Sequence, residues 1–175
     1  MPRKLKISFI IVMGVSGCGK STIGKLLAQR LGWAFIEGDD CHPAPNIDKM
    51  RRGEALDDAD RLPWLTAIAA AIARRRQAAQ PAVIACSALG LAHREILQGG
   101  HPDVLFLLLK ISQQAAAARI AQRQAHFMPA TLLASQFARL EEPAPGGDCL
   151  VVDATSAPEI IVSKAAEALA RSKPE

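Results

Sequence analysis

The chain has 175 residues, half of them hydrophobic and only 4% aromatic, with a formal net charge of +4. That length holds one domain with a real core, excludes a second full domain, and at this hydrophobicity and charge excludes a disordered chain. With no Tyr, five Phe and two Trp, and with Lys and Arg scattered along it, the chain lacks the stacking platforms of single-strand nucleic-acid binders and suits a small anionic ligand instead.

The chain opens on a basic head, residues 1–6, and an apolar run, 7–13. A secretory signal has that outline, but the run leads straight into Gly14-Val15-Ser16-Gly17-Cys18-Gly19-Lys20-Ser21, which cleavage would destroy, so it reads as a buried first strand. Further strand-length apolar runs follow at 34–36, 82–86, 104–109 and 150–152. All are apolar on both faces, as strands of a parallel sheet covered on both sides are. Helical stretches lie between them, at 19–31, 46–52, 60–76, 92–98, 112–125, 130–140 and 158–170. Ser112 and Ser156 stand where they cap two of these. Strand–helix alternation of this kind predicts an α/β fold, a three-layer doubly wound parallel sheet, in one domain spanning residues 1–175. No stretch has the ~18–20 apolar residues of a membrane span. Cys18, Cys41, Cys86 and Cys149 form neither a C-x-x-C pair nor a tight framework, and read as free thiols in a reducing cytoplasm.

Gly14-x-x-x-x-Gly19-Lys20-Ser21 is a complete phosphate-loop pattern, placed between a strand and a helix as its chemistry requires. Glycines let the backbone curl until successive N–H groups point at phosphate oxygens, and the helix start adds its positive dipole end. Lys20 reaches the outer phosphates, and the Ser21 hydroxyl is a ligand for Mg²⁺. Gly14, Val15, Ser16, Gly17, Cys18, Gly19, Lys20, Ser21 and Thr22 are therefore the expected ATP-binding residues, with Cys18 a small side chain filling a permitted position.

The loop alone does not separate GTPases, motors and small kinases. No Gly in the chain has Asp three positions before it, which removes the GTPase switch. No acid closes the runs at 82–86 or 104–109, which removes a motor's Walker B. The acid instead follows the second strand, at Asp39, where the carboxyl ends of the strands face the ligand crevice. A small kinase remains, with Asp39 facing an acceptor hydroxyl. Arg119 and Arg123 share a helix face just before an irregular segment at 126–129. They read as the cations of a closing lid, residues 119–130, brought onto the phosphates. Arg74, Arg75 and Arg76, at the end of an Ala-rich helix, suit solvent and the negative dipole end instead.

After the second strand the chain resembles the small phosphate-loop gluconokinases. The motif is Gly38-Asp39-x-x-His42-Pro43-x-x-Asn46-x-x-Lys49-Met50-x-x-Gly53-Glu54-x-Leu56-x-Asp58-x-Asp60-Arg61-x-Pro63-Trp64-Leu65. Cys86-Ser87-Ala88-Leu89, Arg119-x-x-x-Arg123-x-x-His126-Phe127 and Ser135-Gln136-Phe137-x-x-Leu140-Glu141-x-Pro143 continue it in order. The likeness runs from residue 10 to about 153. Ala55, Gly90, His93 and Ala125 depart from it, standing where the family usually has Pro, Lys, Tyr and Gly.

The resemblance implies a nucleoside-monophosphate-kinase-like fold and ATP-dependent phosphorylation of D-gluconate at its 6-hydroxyl, with Mg²⁺, usually by a homodimer. The residues agree with an acceptor-binding segment at about 39–65. A polyhydroxy acid needs hydrogen-bonding groups for its hydroxyls and a cation for its carboxylate. Asp39, His42, Asn46, Lys49, Arg61 and Ser87 offer both, with Arg61 first in line for the carboxylate. Local caps and ion pairs such as Asp58 or Asp60 with Arg61 are the competing use of these side chains, and Trp64 reads as core. Lys20, Asp39, Arg119 and Arg123 are the expected catalytic set. Another small acceptor on the same fold (shikimate, another sugar acid, a nucleoside monophosphate) and a switch without transfer activity stay open at this level.

Overall fold

The computed structural model describes residues 6–122, 129–144 and 148–172. Five parallel strands, β1 (Phe9–Met13), β2 (Ala34–Glu37), β3 (Ala82–Ala85), β4 (Val104–Lys110) and β5 (Cys149–Asp153), form one sheet in the order β2-β3-β1-β4-β5. The register pairs Phe9 of β1 with Ala82 on one side and Val104 on the other. β1 is therefore central, and its carboxyl end delivers the phosphate loop to the middle of the crevice.

Both faces of the sheet are buried, which is why its strands read as continuous apolar runs. Ile10, Val12, Leu105, Leu107 and Leu109 join Ile23 and Leu27 of α1 (Lys20–Leu31) and Ile161, Val162 and Leu169 of α7 (Pro158–Ser172) on one face. Phe9, Ile11, Met13, Phe106 and Leu108 join Trp64, Leu65, Ile68 and Ile72 of α3 (Asp58–Gln77) and Leu97 of α4 (Leu91–Gln98) on the other. Each fully buried Leu or Ile here stabilises the fold by roughly 1.5–3 kcal/mol. The helices α2 (Ala44–Arg51), α5 (Gln113–Ala121) and α6 (Ala130–Arg139) complete the chain. Among the described residues every predicted strand and helix is present, with ends displaced by a few residues; positions 123–125 of the stretch predicted at 112–125 lie outside the described residues.

Three local features differ from the sequence reading. A 3₁₀ turn, Gly38–Cys41, follows β2 directly. The turn into α7 is held by Asp153, whose Oδ1 accepts from the Thr155 amide at 2.8 Å and hydroxyl at 2.7 Å, whereas sequence places the cap at Ser156. Arg76 is not left to solvent: it donates to both Asp103 oxygens at 2.9 Å and lies over the Phe9 ring. That partner is 27 residues away, out of reach of a helix-end argument. Ser112 caps α5 as predicted, accepting from the Ala115 amide at 3.1 Å.

Candidate active site

The phosphate loop curls because its glycines take backbone shapes closed to other residues. Gly14, Gly17 and Gly19 have φ of 138°, 82° and 100°. A Cβ on Gly17 would lie 2.7 Å from the Ala116 carbonyl of α5, and one on Gly14 would lie 2.9 Å from Cys18 Sγ. Val15 and Cys18 bury their side chains, so only their backbone faces a ligand. Lys20 opens α1 and donates from Nζ to the Val15 carbonyl at 3.1 Å, which folds its ammonium across the loop. Ser21 is half-buried on the first turn of α1, while the Thr22 side chain is exposed.

Gly38 brings the segment after β2 up to the sheet beside this loop. Its Cα packs so close to the end of β3 that a Cβ would lie 2.2 Å from the Ala85 carbonyl. Asp39 is thereby set beside the β3 end, from which Ser87 projects. Trp64 Nε1 donates to the Gly38 carbonyl at 2.7 Å, and the Trp64 ring stacks on His42 at 4.1 Å with a 12° tilt. Trp64 is thus both core, 2% exposed, and a wall of the site.

Lys20, Asp39, His42, Arg61 and Ser87 meet around one cavity of about 270 Å³, with Ser16 of the phosphate loop and with Trp64, Leu56 and Leu89. Arg61 is 8% exposed. Its Nη1 donates to the Leu56 carbonyl, and its nearest carboxylate, Asp58 Oδ1, is 4.0 Å away. Asp58 is committed elsewhere, at 2.5 Å from Arg139 Nη1. Burial, then the Arg139 charge, pull the Arg61 pKa below the usual guanidinium value, yet a guanidinium stays charged in a protein. A buried cation with so little compensation attracts an anionic group into the cavity.

Three expected residues sit elsewhere. Asn46 is buried and turns its amide to the Asp60 carbonyl at 2.8 Å. Lys49 does not line the cavity: its Nζ holds both oxygens of Asp60, at 3.0 and 2.8 Å. That hydrogen bond raises the Lys49 pKa and lowers the Asp60 pKa. Asp60 also closes a capping box, accepting from the Asp57 amide at 3.0 Å while Asp57 Oδ1 accepts from the Asp60 amide at 2.8 Å. At this helix start Asp60 therefore pairs with Lys49 rather than Arg61, while the Asp58–Arg61 pair is present but long, at 4.0 Å. Arg119 lies behind the loop, donating to the Cys18 carbonyl at 3.3 Å and the Ala154 carbonyl at 2.8 Å. Arg123 and His126 lie outside the described residues.

The structure adds Gln136 and Ser135 of α6, which line the cavity. Gln136 Oε1 accepts from the Ser16 amide at 2.7 Å, tying α6 to the phosphate loop across 120 positions of sequence. The motif around 135–137 marks the segment, but only folding shows which side chain reaches the loop. The departures at 90 and 93 also find a place. His93 Nδ1 accepts from the Gly90 amide at 3.2 Å, capping α4, and Nε2 lies 3.7 Å from Asp58. Neither residue lines the cavity; Ala55 does.

A family model described as an AAA domain matches residues 9–143. The chain is 42% identical to a gluconokinase of Gluconobacter oxydans, over 91% of this chain and 90% of that one. It is 41% identical to a gluconokinase of Arabidopsis thaliana, over 93% of each. The crystal structure of a gluconokinase from Sinorhizobium meliloti is similar with a TM-score of 0.82 and 42% identity, covering 97% of this chain and 94% of that one. Among the described residues no helix is long and apolar enough to cross a membrane.

Proposed function

The chain belongs to the gluconokinase family and phosphorylates gluconate at the expense of ATP, and from that premise we propose how its residues divide the work. The convergence of Lys20, Asp39, Arg61 and Ser87 on one cavity at the phosphate-loop mouth carries this reading. ATP lies with its phosphates on the backbone of residues 14–22, opposite Lys20. Gluconate fills the cavity with its carboxylate on Arg61, its hydroxyls on His42 and Ser87, and its 6-hydroxyl on Asp39. The 6-oxygen attacks the γ-phosphorus in line and its proton passes to Asp39. The bond to the β-phosphate oxygen breaks and ADP leaves. Lys20 meets the charge that develops on the transferring group.

The donor set suits Mg²⁺, a hard cation that takes oxygen ligands and leaves most of its shell to phosphate and water. The Ser21 hydroxyl on the first turn of α1 would hold it, and the ion would supply neutralisation of phosphate charge. Arg119 braces the loop through the Cys18 carbonyl, and Arg123 is the lid cation. Lys49 supports the acceptor segment through Asp60 rather than touching gluconate. A homodimer in the cytoplasm completes the reading, on the strength of the family.

Lys20→Ala tests the phosphate-loop assignment: turnover is lost while the circular-dichroism melt stays that of the parent. A retained kcat would remove Lys20 from the reaction.

A further inference from the structure

We propose that Asn46 is a positioning residue that fixes His42 as its Nε2–H tautomer, so that the ring donates a hydrogen bond from Nε2 to an oxygen of the acceptor. The proposal rests on the gluconate reading above for the identity of that oxygen, and on geometry for the tautomer. Asn46 is 2% exposed. Its Nδ2 donates to the Asp60 carbonyl at 2.8 Å, which settles the amide orientation, since the amide oxygen in that place would face another oxygen. The same Nδ2 lies 3.3 Å from His42 Nδ1. An NH₂ group directed at Nδ1 requires a lone pair there, so the ring proton resides on Nε2.

The ring has little freedom to choose otherwise. It is stacked on Trp64, whose own Nε1 is tied to the Gly38 carbonyl at 2.7 Å. A ring flip would turn a carbon-bound hydrogen towards the Asn46 amide and forfeit the bond. His42 lines the cavity, and Nε2 is the ring nitrogen left to face it. The charged surroundings agree with a neutral ring. Burial holds the His42 pKa below the ordinary histidine value; Asp39, from its own turn, pulls it up, and Arg61 of α3 pushes it down. Lys20 and Glu54 also line the same cavity. A neutral Nε2–H donor distinguishes hydroxyl and carboxylate oxygens from ammonium groups, so this pair contributes to selecting a polyhydroxy acid.

Nitrogen NMR of the ¹⁵N-histidine-labelled full chain tests the tautomer without substrate, with His42 assigned by the signal lost in His42→Gln. A pyridine-type Nδ1 and a pyrrole-type Nε2 across the neutral range are expected; a protonated Nδ1 overturns the proposal. Asn46→Asp, which places an acceptor beside Nδ1, should move the proton to Nδ1 and shift the His42 titration upward. Unchanged ring signals in a folded Asn46→Asp would overturn the role of Asn46, and if that variant does not fold the wild-type spectrum decides. His42→Phe keeps a ring on Trp64 but lacks the donor. It should raise the gluconate KM by about tenfold, as expected for one lost hydrogen bond, with the ATP KM unchanged. An unchanged gluconate KM would overturn the donor role. A wild-type enzyme inactive on gluconate would overturn the acceptor reading while leaving the spectrum to judge the tautomer.

Discussion

Arg61 and Lys20 are cations with opposite settings. Lys20 is half-buried on the loop and donates to a backbone carbonyl, so its charge is free to turn to phosphate. Arg61 is buried, with Asp58 drawn away by Arg139, and its charge awaits a carboxylate. Arg61→Ala should therefore raise the gluconate KM by about tenfold or more, as loss of a charge-assisted bond does, and leave the ATP KM nearly unchanged in steady-state assays. The reverse pattern would move Arg61 to the nucleotide side. If Asp39 accepts the proton as proposed, Asp39→Asn should lower kcat by roughly 10²-fold or more; a near-parental kcat would take Asp39 out of that role.

Among the elements, the 3₁₀ turn Gly38–Cys41 joins the sheet to the segment proposed to bind the acceptor. Gly38→Ala puts a methyl 2.2 Å from the Ala85 carbonyl. Overpacking of this kind costs about 1–3 kcal/mol, seen as a lower Tm, and it displaces Asp39 enough to lower kcat as well. The Lys49–Asp60 pair joins α2 to α3 beside the Asn46–Asp60 hydrogen bond. The folded-state pKa of Asp60 lies below its ordinary value of 3.8, so the pair stabilises above that pH, and the contribution is lost as pH falls through the depressed value. Asp60→Asn should lower Tm at neutral pH and flatten its decline below about pH 4, measured by thermal melts across pH. An unchanged acid slope would show that the carboxylate is not coupled to folding.

The strands and most helices were legible in the sequence because both sheet faces are buried and Ser112 marks a helix start. That Lys20 and Asp39 line one cavity was legible because a phosphate loop and parallel strands send their carboxyl ends to one crevice, whereas Arg61 and Ser87 were named only through the family resemblance. Lys49, Arg76 and Gln136 were not legible in full, since the partner of each lies 11, 27 and 120 residues away. Composition names a charge; only packing shows which anion or amide claims it. Likewise Trp64 is both core and wall, a double use that hydrophobic pattern cannot display.

At the scale of the whole molecule, the sheet order β2-β3-β1-β4-β5 places phosphate loop, acceptor turn and the β3 end side by side, and α6 closes on them through Gln136. The positive excess of +4 matters less than where Lys20 and Arg61 stand. The direct test is ADP release by the purified chain with ATP and Mg²⁺, measured in parallel with gluconate, shikimate, other sugar acids, nucleoside monophosphates and no acceptor. ADP formation that requires gluconate and exceeds that with every other acceptor, with 6-phosphogluconate as product, is the predicted result. ADP release independent of acceptor, or a preference for another acceptor, would contradict it.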